Sequence, residues 1–489
     1  MAMFLDDDKL HEECGVFGIS GVTDEAAAHT ALGLHALQHR GQEAAGVVSF
    51  DGNQFFTHRA LGLVGDNFNK QSTIERLKGH MAIGHNRYST SGEPHLRNVQ
   101  PLFAEFSFGG LALAHNGNLT NAYTLREELI KGGAIFQSTS DTEVMIHLIA
   151  RSKKASVADR IIDGLKQIQG AYSLVALSHD GMVGVRDPHG VRPLVLGTLG
   201  NAYVLASESC ALDIIGATLV RDIEAGEMVV IKEGEITSYR PFDTTPEART
   251  KSRFCVFEYI YFARPDSYVD NNNVYTARKA IGTELAREAL VEADLVAPVP
   301  DSGLPAAIGY AEAAGLPFEL GIIRNHYVGR TFIEPTDQVR HLGVKLKHNA
   351  NRVILEGKRV ILVDDSIVRG TTSQKIVNMV REAGAKEVHM RIASPPTTHS
   401  CFYGVDTPSR DKLLAANKSI EEMAEHIGVD SLAFISIDGV YRALGKAEGR
   451  NNESPEYCDA CFTGEYAIPL TDQEAGKSGK TQADLFKTA

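Results

Sequence analysis

The stretch Arg359-Val-Ile-Leu-Val-Asp-Asp-Ser-Ile-Val-Arg-Gly-Thr371 constrains the fold of this chain more than any other. Val360 to Val363 is an unbroken β-branched and aliphatic run. A strand apolar at every position must be covered on both faces, which is the condition of a parallel strand between helical layers. The run stops at Asp364 and Asp365, at the carboxyl end of the strand, where α/β sheets hold their ligands. Ser366, Arg369, Gly370, Thr371 and Thr372 follow, ahead of a helix predicted to reach about Ala383. The free N–H groups at such a helix start suit a phosphate, and the acids suit ribose hydroxyls or a divalent metal. Acids beside a phosphate repel it unless hydroxyls or Mg²⁺ intervene, so the pairing implies both. A plain capped turn would need only one acid.

The chain has 489 residues, enough for two or three domains with their own cores, and its 43% hydrophobic and 23% charged content is that of a globular protein. A formal net charge of -13 argues against nucleic acid or an anionic membrane as partner. No apolar run of about 18 residues is present, and the leader from Met1 to Glu13 is acidic without an apolar segment, so no membrane association and a cytoplasmic location are expected. Six cysteines are too few for a disulfide framework in a chain this long, which directs attention to reactive or metal-binding roles.

Residues 15 to 240 are rich in short strands, at Gly15–Ile19, Ala45–Ser49, Gly110–Ala114, Tyr172–Ala176 and Met228–Ile231. Helical patterns at Asp24–Gln38 and Ser140–Arg151 lie between them, and the mixture predicts a layered α+β domain. A polar stretch from about Tyr239 to Arg253, with Pro241 and Pro246, marks a seam. Beyond it, helix 277–292, strand 294–299, helix 304–314, strand 317–323 and strand 360–363 alternate as in a doubly wound parallel sheet. The segment Asn325 to Asn349 reads as a lid or a disordered loop; as a lid it has Arg324, Tyr327, Arg330, Lys345 and Lys347 available to close over an anion. After Thr471 the tail is polar and expected to be mobile. Its Gly476-Lys-Ser478 lacks the first glycine of a phosphate-binding P-loop, because Thr471 stands there.

Val299-Pro-Asp-Ser-Gly303 is a second strand end with an acid, a hydroxyl and a glycine; alone it could equally be a capped turn with Pro305 near the helix start. The segment 359–371 closely resembles the phosphoribosyl pyrophosphate motif of type I phosphoribosyltransferases, and Asp301-Ser302-Gly303 resembles the pyrophosphate loop of the same family. The resemblance implies that Asp364 and Asp365 contact ribose, that Ser366 to Thr372 wrap the 5-phosphate, and that Ser302, Asp364 and Asp365 surround Mg²⁺.

Cys14 follows the acidic leader and opens the first strand-like run. An isolated cysteine there is usually a small buried residue. If residues 1–13 are removed, however, Cys14 gains a free α-amine able to take its thiol proton. Arg87 offers a bidentate fork for a substrate carboxylate, and Asp141 offers a partner for an α-ammonium or else caps the next helix. Asn116 and Gly117, in a block expected to follow a strand, supply a side-chain amide and a backbone N–H for an oxyanion; alone, Asn-Gly reads equally as a hairpin turn. Cys14-Gly15, Leu37-Gln-His-Arg-Gly-Gln42, Gly84-His-Asn-Arg-Tyr88, His115-Asn-Gly-Asn118 and Ser140-Asp141, in this order, resemble a class II glutamine amidotransferase domain. That resemblance implies an N-terminal-nucleophile hydrolase fold, layered αββα.

Among the other cysteines, Cys458-Asp-Ala-Cys461 is a C-x₂-C pair, and Cys255 and Cys401 stand alone. Read locally, the pair is redox-active, metal-binding or incidental, and four thiolates suit Zn²⁺ or an iron–sulfur cluster equally. The two halves in this order, with Asp187-Pro-His-Gly-Val-Arg-Pro193 and Phe257-Glu-Tyr-Ile-Tyr-Phe-Ala-Arg-Pro265, resemble the glutamine phosphoribosylpyrophosphate amidotransferase family. One branch of it carries an acidic propeptide and a [4Fe-4S] cluster, which implies Cys255, Cys401, Cys458 and Cys461 as ligands and leaves Cys210 buried. It implies a propeptide 1–13, a glutaminase domain 14–245, a phosphoribosyltransferase domain 246–470 and a tail 471–489. The implied reaction makes 5-phosphoribosylamine from glutamine and phosphoribosyl pyrophosphate, the first committed step of purine synthesis, in a homotetramer inhibited by purine nucleotides. The rivals are another class II amidotransferase, a binding-only regulator and an iron–sulfur electron carrier. The acid-pair segment argues against the first, intact Cys14, Arg87, Asn116 and Asp141 against the second, and the wide ligand spacing against the third.

Overall fold

Side chains on a strand alternate faces, so two stacked sheets covered by helices sort residues by parity. Val16 points into the core between two sheets, while its neighbours Phe17 and Ile19 point outward onto the helix Ala26–Ala36. Gly33 on that helix is needed for the approach, since a Cβ there would lie 2.3 Å from the Phe17 ring. The computed structural model describes residues 14–88, 95–243, 251–325 and 348–476.

One antiparallel sheet of the first domain has the order Thr218–Asp222, Val195–Leu199, Ala202–Ala206, Gly15–Ser20, Met81–Arg87, Ala44–Phe50, Phe55–Leu61. The other runs Glu235–Tyr239, Met228–Lys232, Gly181–Arg186, Gly170–Ser178, Gly109–Leu119, Leu102–Phe106. Leu111 and Leu113 face the helices Thr142–Arg151 and Val157–Leu165, whereas Ala112 and Ala114 face the opposite sheet. The layered αββα expectation therefore holds. The strand at 109–119 runs further than its apolar part indicates: His115-Asn-Gly-Asn118 lies inside it, paired with Ala171 to Leu174, and is neither a sequel to the strand nor a hairpin turn.

The second domain is built on a parallel sheet of order Leu295–Pro298, Arg359–Asp364, Glu387–Ile392, Ser431–Phe434. Every residue from Val360 to Val363 is fully buried, as a two-faced strand requires. Helices Val274–Glu288, Leu304–Ala314 and Thr371–Glu382 match the expected positions within a few residues. The strand expected at 317–323 is not formed as such: Phe318 makes a single bridge to Val296, and Ile322–Arg324 pairs instead with His348–Ala350. Most of the expected lid, including Tyr327, Arg330, Lys345 and Lys347, lies outside the described residues, as do the leader 1–13 and residues 244–250 and 477–489. The tail after Thr471 begins in place rather than loose, because Thr471–Glu474 is a helical turn docked on the first domain.

Among the described residues, no helix is long and apolar enough to cross a membrane.

Candidate active sites

Parity assembles the first site. Met81 and Ile83 face the inter-sheet core, so His85 and Arg87 continue on that face. Val16 faces it too, which places Cys14 there, and Gly15 pairs with Asn86. Ala112 and Ala114 bring Asn116 to the same face from the other sheet. The two sheets are joined at this end by His85, whose Nε2 donates to the His115 carbonyl at 3.0 Å. Cys14, Arg87 and Asn116 thus converge at one end of the sandwich. Gly41 lets the preceding loop lie against them, for a Cβ there would be 2.7 Å from the Arg87 carbonyl carbon.

The Cys14 thiol makes its hydrogen bond to the Tyr88 carbonyl, at 3.6 Å, and no side-chain base reaches it among the described residues. Burial pushes its pKa up to about 11, against the pull of the Tyr88 backbone and the Arg87 charge. Asn116 is fully buried, and neither its side-chain nitrogen nor its oxygen has a hydrogen-bond partner. Gly117 has φ +134°, and a Cβ there would lie 2.0 Å from the Ala171 carbonyl oxygen, so only glycine fits.

Asp141 stands at the start of helix Thr142–Arg151 but does not cap it. Its carboxylate accepts from Leu119 N at 3.1 Å and lies 3.6 Å from His115 Nδ1. Burial would raise its pKa, yet His115 and these donors hold it below the usual range. The loop before it is fixed by Glu143, which accepts from Ser138 N and Oγ at 2.7 and 2.6 Å, and by two hydrogen bonds between Asn98 and Thr139.

The second site lies at the carboxyl end of the parallel sheet. Asp364 and Asp365 are each 2% exposed. Asp365 receives Ser302 Oγ on one oxygen and Ser366 Oγ on the other, both at 2.6 Å, and its N–H donates to Asp364 at 2.9 Å. The two strand ends identified from sequence therefore meet, through Ser302 and Asp365. Gly303 allows it: a Cβ would stand 2.3 Å from the Val363 carbonyl oxygen. Arg324, at the edge of the expected lid, forms an ion pair with Asp301. Gly370, at φ +83°, turns the chain into the helix that begins at Thr371, and Arg369 and Thr372 lie in the same turn.

Matches to known families follow this division: a glutamine amidotransferase domain over residues 85–213 and a phosphoribosyl transferase domain over residues 266–393. An amidophosphoribosyltransferase of Rhizobium etli is 59% identical over 481 residues, covering 97% of this chain and 96% of its own length. This chain belongs to the amidophosphoribosyltransferase family. The Bacillus subtilis amidophosphoribosyltransferase is 50% identical over 462 residues, with 94% and 95% covered. A solved B. subtilis glutamine phosphoribosylpyrophosphate amidotransferase, complexed with ADP and GMP, superposes with a TM-score of 0.87 at 48% identity, covering 94% of this chain and 98% of that one. A chloroplastic amidophosphoribosyltransferase of Arabidopsis thaliana is 52% identical over 476 residues, covering 97% of this chain and 82% of its own.

In this amidophosphoribosyltransferase chain the four cysteines outside the Cys14 site and Cys210 gather at the domain junction. Phe254–Cys255 and Tyr457–Cys458 form a two-stranded parallel ladder in which Cys255 faces Cys458. Tyr403 N donates to Cys401 Sγ at 3.3 Å, and the Cys461 carbonyl accepts from Thr398 and His399 N. Burial, and then the nearness of the other thiols, raises Cys458 and Cys461 well above the usual range, and burial pushes Cys255 up to about 11. All four are free of disulfides. Among the described residues, no three His, Cys, Asp or Glu side chains close on a single ion.

A buried charge network was not read from the sequence. Arg40 binds Glu208 and Glu258, Arg192 Nη1 lies 3.4 Å from Glu258, and Ser267 Oγ donates to Glu208 at 2.7 Å. Glu208 is held well below the carboxylate range despite its burial, by Arg40 and His39. Glu258, set within the apolar run Cys255 to Ala263, was the available signal; Glu208, between Ser207 and Ser209, gave none.

Proposed function

We propose that this chain transfers the amide nitrogen of glutamine to phosphoribosyl pyrophosphate, forming 5-phosphoribosylamine, glutamate and pyrophosphate as the first committed step of purine nucleotide synthesis. The observation that carries the glutamine half is the buried, unpartnered Asn116 amide on the same inter-sheet face as Cys14 and Arg87. Buried polar groups are normally paired, and an unpaired one aimed into a site is poised for a partner absent from the resting protein. Arg87 holds the substrate carboxylate and Asp141 its ammonium. Cys14 attacks the side-chain amide, Asn116 and Gly117 stabilise the oxyanion, ammonia leaves, and water releases glutamate from the thioester. A thiol held near 11 needs a base, and with no side-chain base in reach among the described residues the α-amine exposed by loss of residues 1–13 supplies it.

In the second half, Asp364 and Asp365 hold the ribose and Ser366, Arg369, Gly370, Thr371 and Thr372 the 5-phosphate, with Asp301, Ser302 and Gly303 on the pyrophosphate. Mg²⁺ takes few protein oxygens and fills its shell with substrate and water, which suits two carboxylates and Ser302 better than a closed protein cage. Bound there, it would neutralise the departing pyrophosphate. The four junction cysteines would hold a [4Fe-4S] cluster: none is in a disulfide, Cys255 and Cys458 face each other across a ladder, and the buried Arg192 lies within electrostatic reach of Cys255, Cys401 and Cys458. Such a cluster would supply cross-linking between the ends of the second domain. A cytoplasmic homotetramer inhibited by purine nucleotides completes the proposal, in keeping with the nucleotide-bound B. subtilis relative.

Cys14→Ala tests the division. It should abolish glutamine-dependent synthesis and leave synthesis from added ammonia; a variant that still uses glutamine refutes the nucleophile. Mass spectrometry of active protein should find Cys14 as the first residue. Anaerobically purified protein should be brown, and a colourless, zinc-loaded preparation refutes the cluster.

A further inference from the structure

The reaction above makes no use of Asn118 or Asp472. We propose that both are positioning residues for the glutamine site, tying the end of the strand that presents Asn116 and Gly117 to the second domain and to the segment that follows it; the inference rests on the oxyanion role given to those two residues.

The strand needs such holding. Gly117 has φ +134° and Gly170, which pairs with Leu119, has φ +145°. Each sits so close to the facing strand that a Cβ would collide with a carbonyl oxygen, at 2.0 Å from Ala171 and 2.3 Å from Asn118. The end of the ladder is therefore built on two glycines, whose backbones have the widest freedom. The first domain supplies two ties: Leu119 N donates to Asp141 at 3.1 Å and Thr120 N to the Gln169 carbonyl at 2.8 Å.

Two further ties come from outside the first domain, one from the second domain and one from the segment that follows it. Asn118 Nδ2 donates to the Phe402 carbonyl at 2.9 Å, and Asp472 N donates to the Thr120 carbonyl at 3.0 Å. The Asp472 carboxylate then accepts from Tyr123 N at 2.8 Å, Thr124 N at 3.0 Å and Thr124 Oγ1 at 2.7 Å. Those donors are the first turn of helix Ala122–Lys131, whose own N-cap residue makes no capping bond, because the Asn121 side chain is engaged with Gln167 and Gln169. Asp472 thus caps this helix from the far end of the chain. Both ties are rooted in one unit, since Tyr403, next to Phe402, exchanges two hydrogen bonds with Ile468.

Gly117 is one residue from Asn118, so slack at the strand end reaches the oxyanion donors directly. The experiment compares full-length Asn118→Leu, Asp472→Ala and the double variant. The expected result is a fall in kcat for glutamine hydrolysis of about tenfold or more, with KM for glutamine within about threefold and ammonia-dependent synthesis unchanged. Amide exchange over residues 117–124 should quicken, and the double variant should be little worse than the poorer single one, because both ties hold one segment. Unaltered glutamine kcat in both single variants overturns the inference, and so does a parallel loss of both activities, the mark of a merely structural role. Asn116→Leu separates the two levels. If it too leaves glutamine kcat intact, the oxyanion assignment fails; if it lowers kcat while Asn118→Leu and Asp472→Ala do not, only the positioning role is lost.

Discussion

Replacing Asn116 by leucine should push activity and stability in opposite directions. The side chain is fully buried between the sheets, and both of its polar atoms lack a hydrogen-bond partner. Leaving a buried polar group unpaired costs roughly 1–3 kcal/mol, and leucine, with the same branching and number of heavy atoms, removes the group without leaving a cavity. Asn116→Leu should therefore melt at or slightly above the wild-type temperature. Loss of one oxyanion donor, by contrast, removes roughly 2.7–4 kcal/mol of transition-state stabilisation, or about 10²- to 10³-fold in kcat for glutamine hydrolysis. The assays are steady-state glutaminase kinetics, thermal unfolding, and product formation from ammonia, which should be preserved. The reasoning is refuted if kcat stays within about tenfold of wild type. It is equally refuted if the variant melts several degrees lower and loses both activities together, since Asn116 would then be a structural residue.

Gly303→Ala would place a Cβ 2.3 Å from the Val363 carbonyl oxygen and 3.0 Å from that of Val299, both backbone atoms of the sheet edge, so the loop must move. Synthesis from glutamine and from ammonia should both fall about 100-fold while glutamine hydrolysis continues, and full synthesis would refute the loop assignment. Asp365→Asn keeps the shape but removes the charge that Ser302 and Ser366 bracket, and should likewise reduce both syntheses, read by pyrophosphate release. His85 is held neutral, its pKa lowered to about 3 by burial and by the nearby Arg87 charge. Because the unfolded chain titrates near 6.5, the stability this group contributes is complete above that pH and is lost as pH falls toward 3. The loss is about 1.4 kcal/mol per pH unit, so about 2 kcal/mol between pH 6.5 and 5. Denaturation across that range should show a steeper acid loss in wild type than in His85→Gln, and parallel curves would refute the assignment.

The parallel-sheet half was readable because its strands are apolar on both faces and its ligand groups stand just past their ends, as at Val363 followed by Asp364. The glutamine half was harder for the opposite reason. Met81–Arg87 carries His85, Asn86 and Arg87 inside a strand that is buried throughout, so functional polar residues erase the alternation that would announce it. The same effect hid His115 to Asn118 within their strand. Phe318 and Ile323 look strand-like locally, yet tertiary pairing diverts them to a bridge and to the His348–Ala350 hairpin. Asp472 could not be found by composition, because a cap supplied from a distant part of the chain leaves no local pattern.

The ladder between Cys255 and Cys458 has a consequence for biosynthesis. Each strand is two residues long, too short to persist alone, and its partner lies almost a whole domain away in sequence. Chains emerge amino terminus first, so Phe254 and Cys255 must wait on the ribosome for nearly all of the second domain to be made. Asp472 emerges later still, and with it the cap on helix Ala122–Lys131. Residues made late therefore close both halves, so a nascent chain stalled before Tyr457 leaves the Cys255 strand without its partner and helix Ala122–Lys131 without its cap.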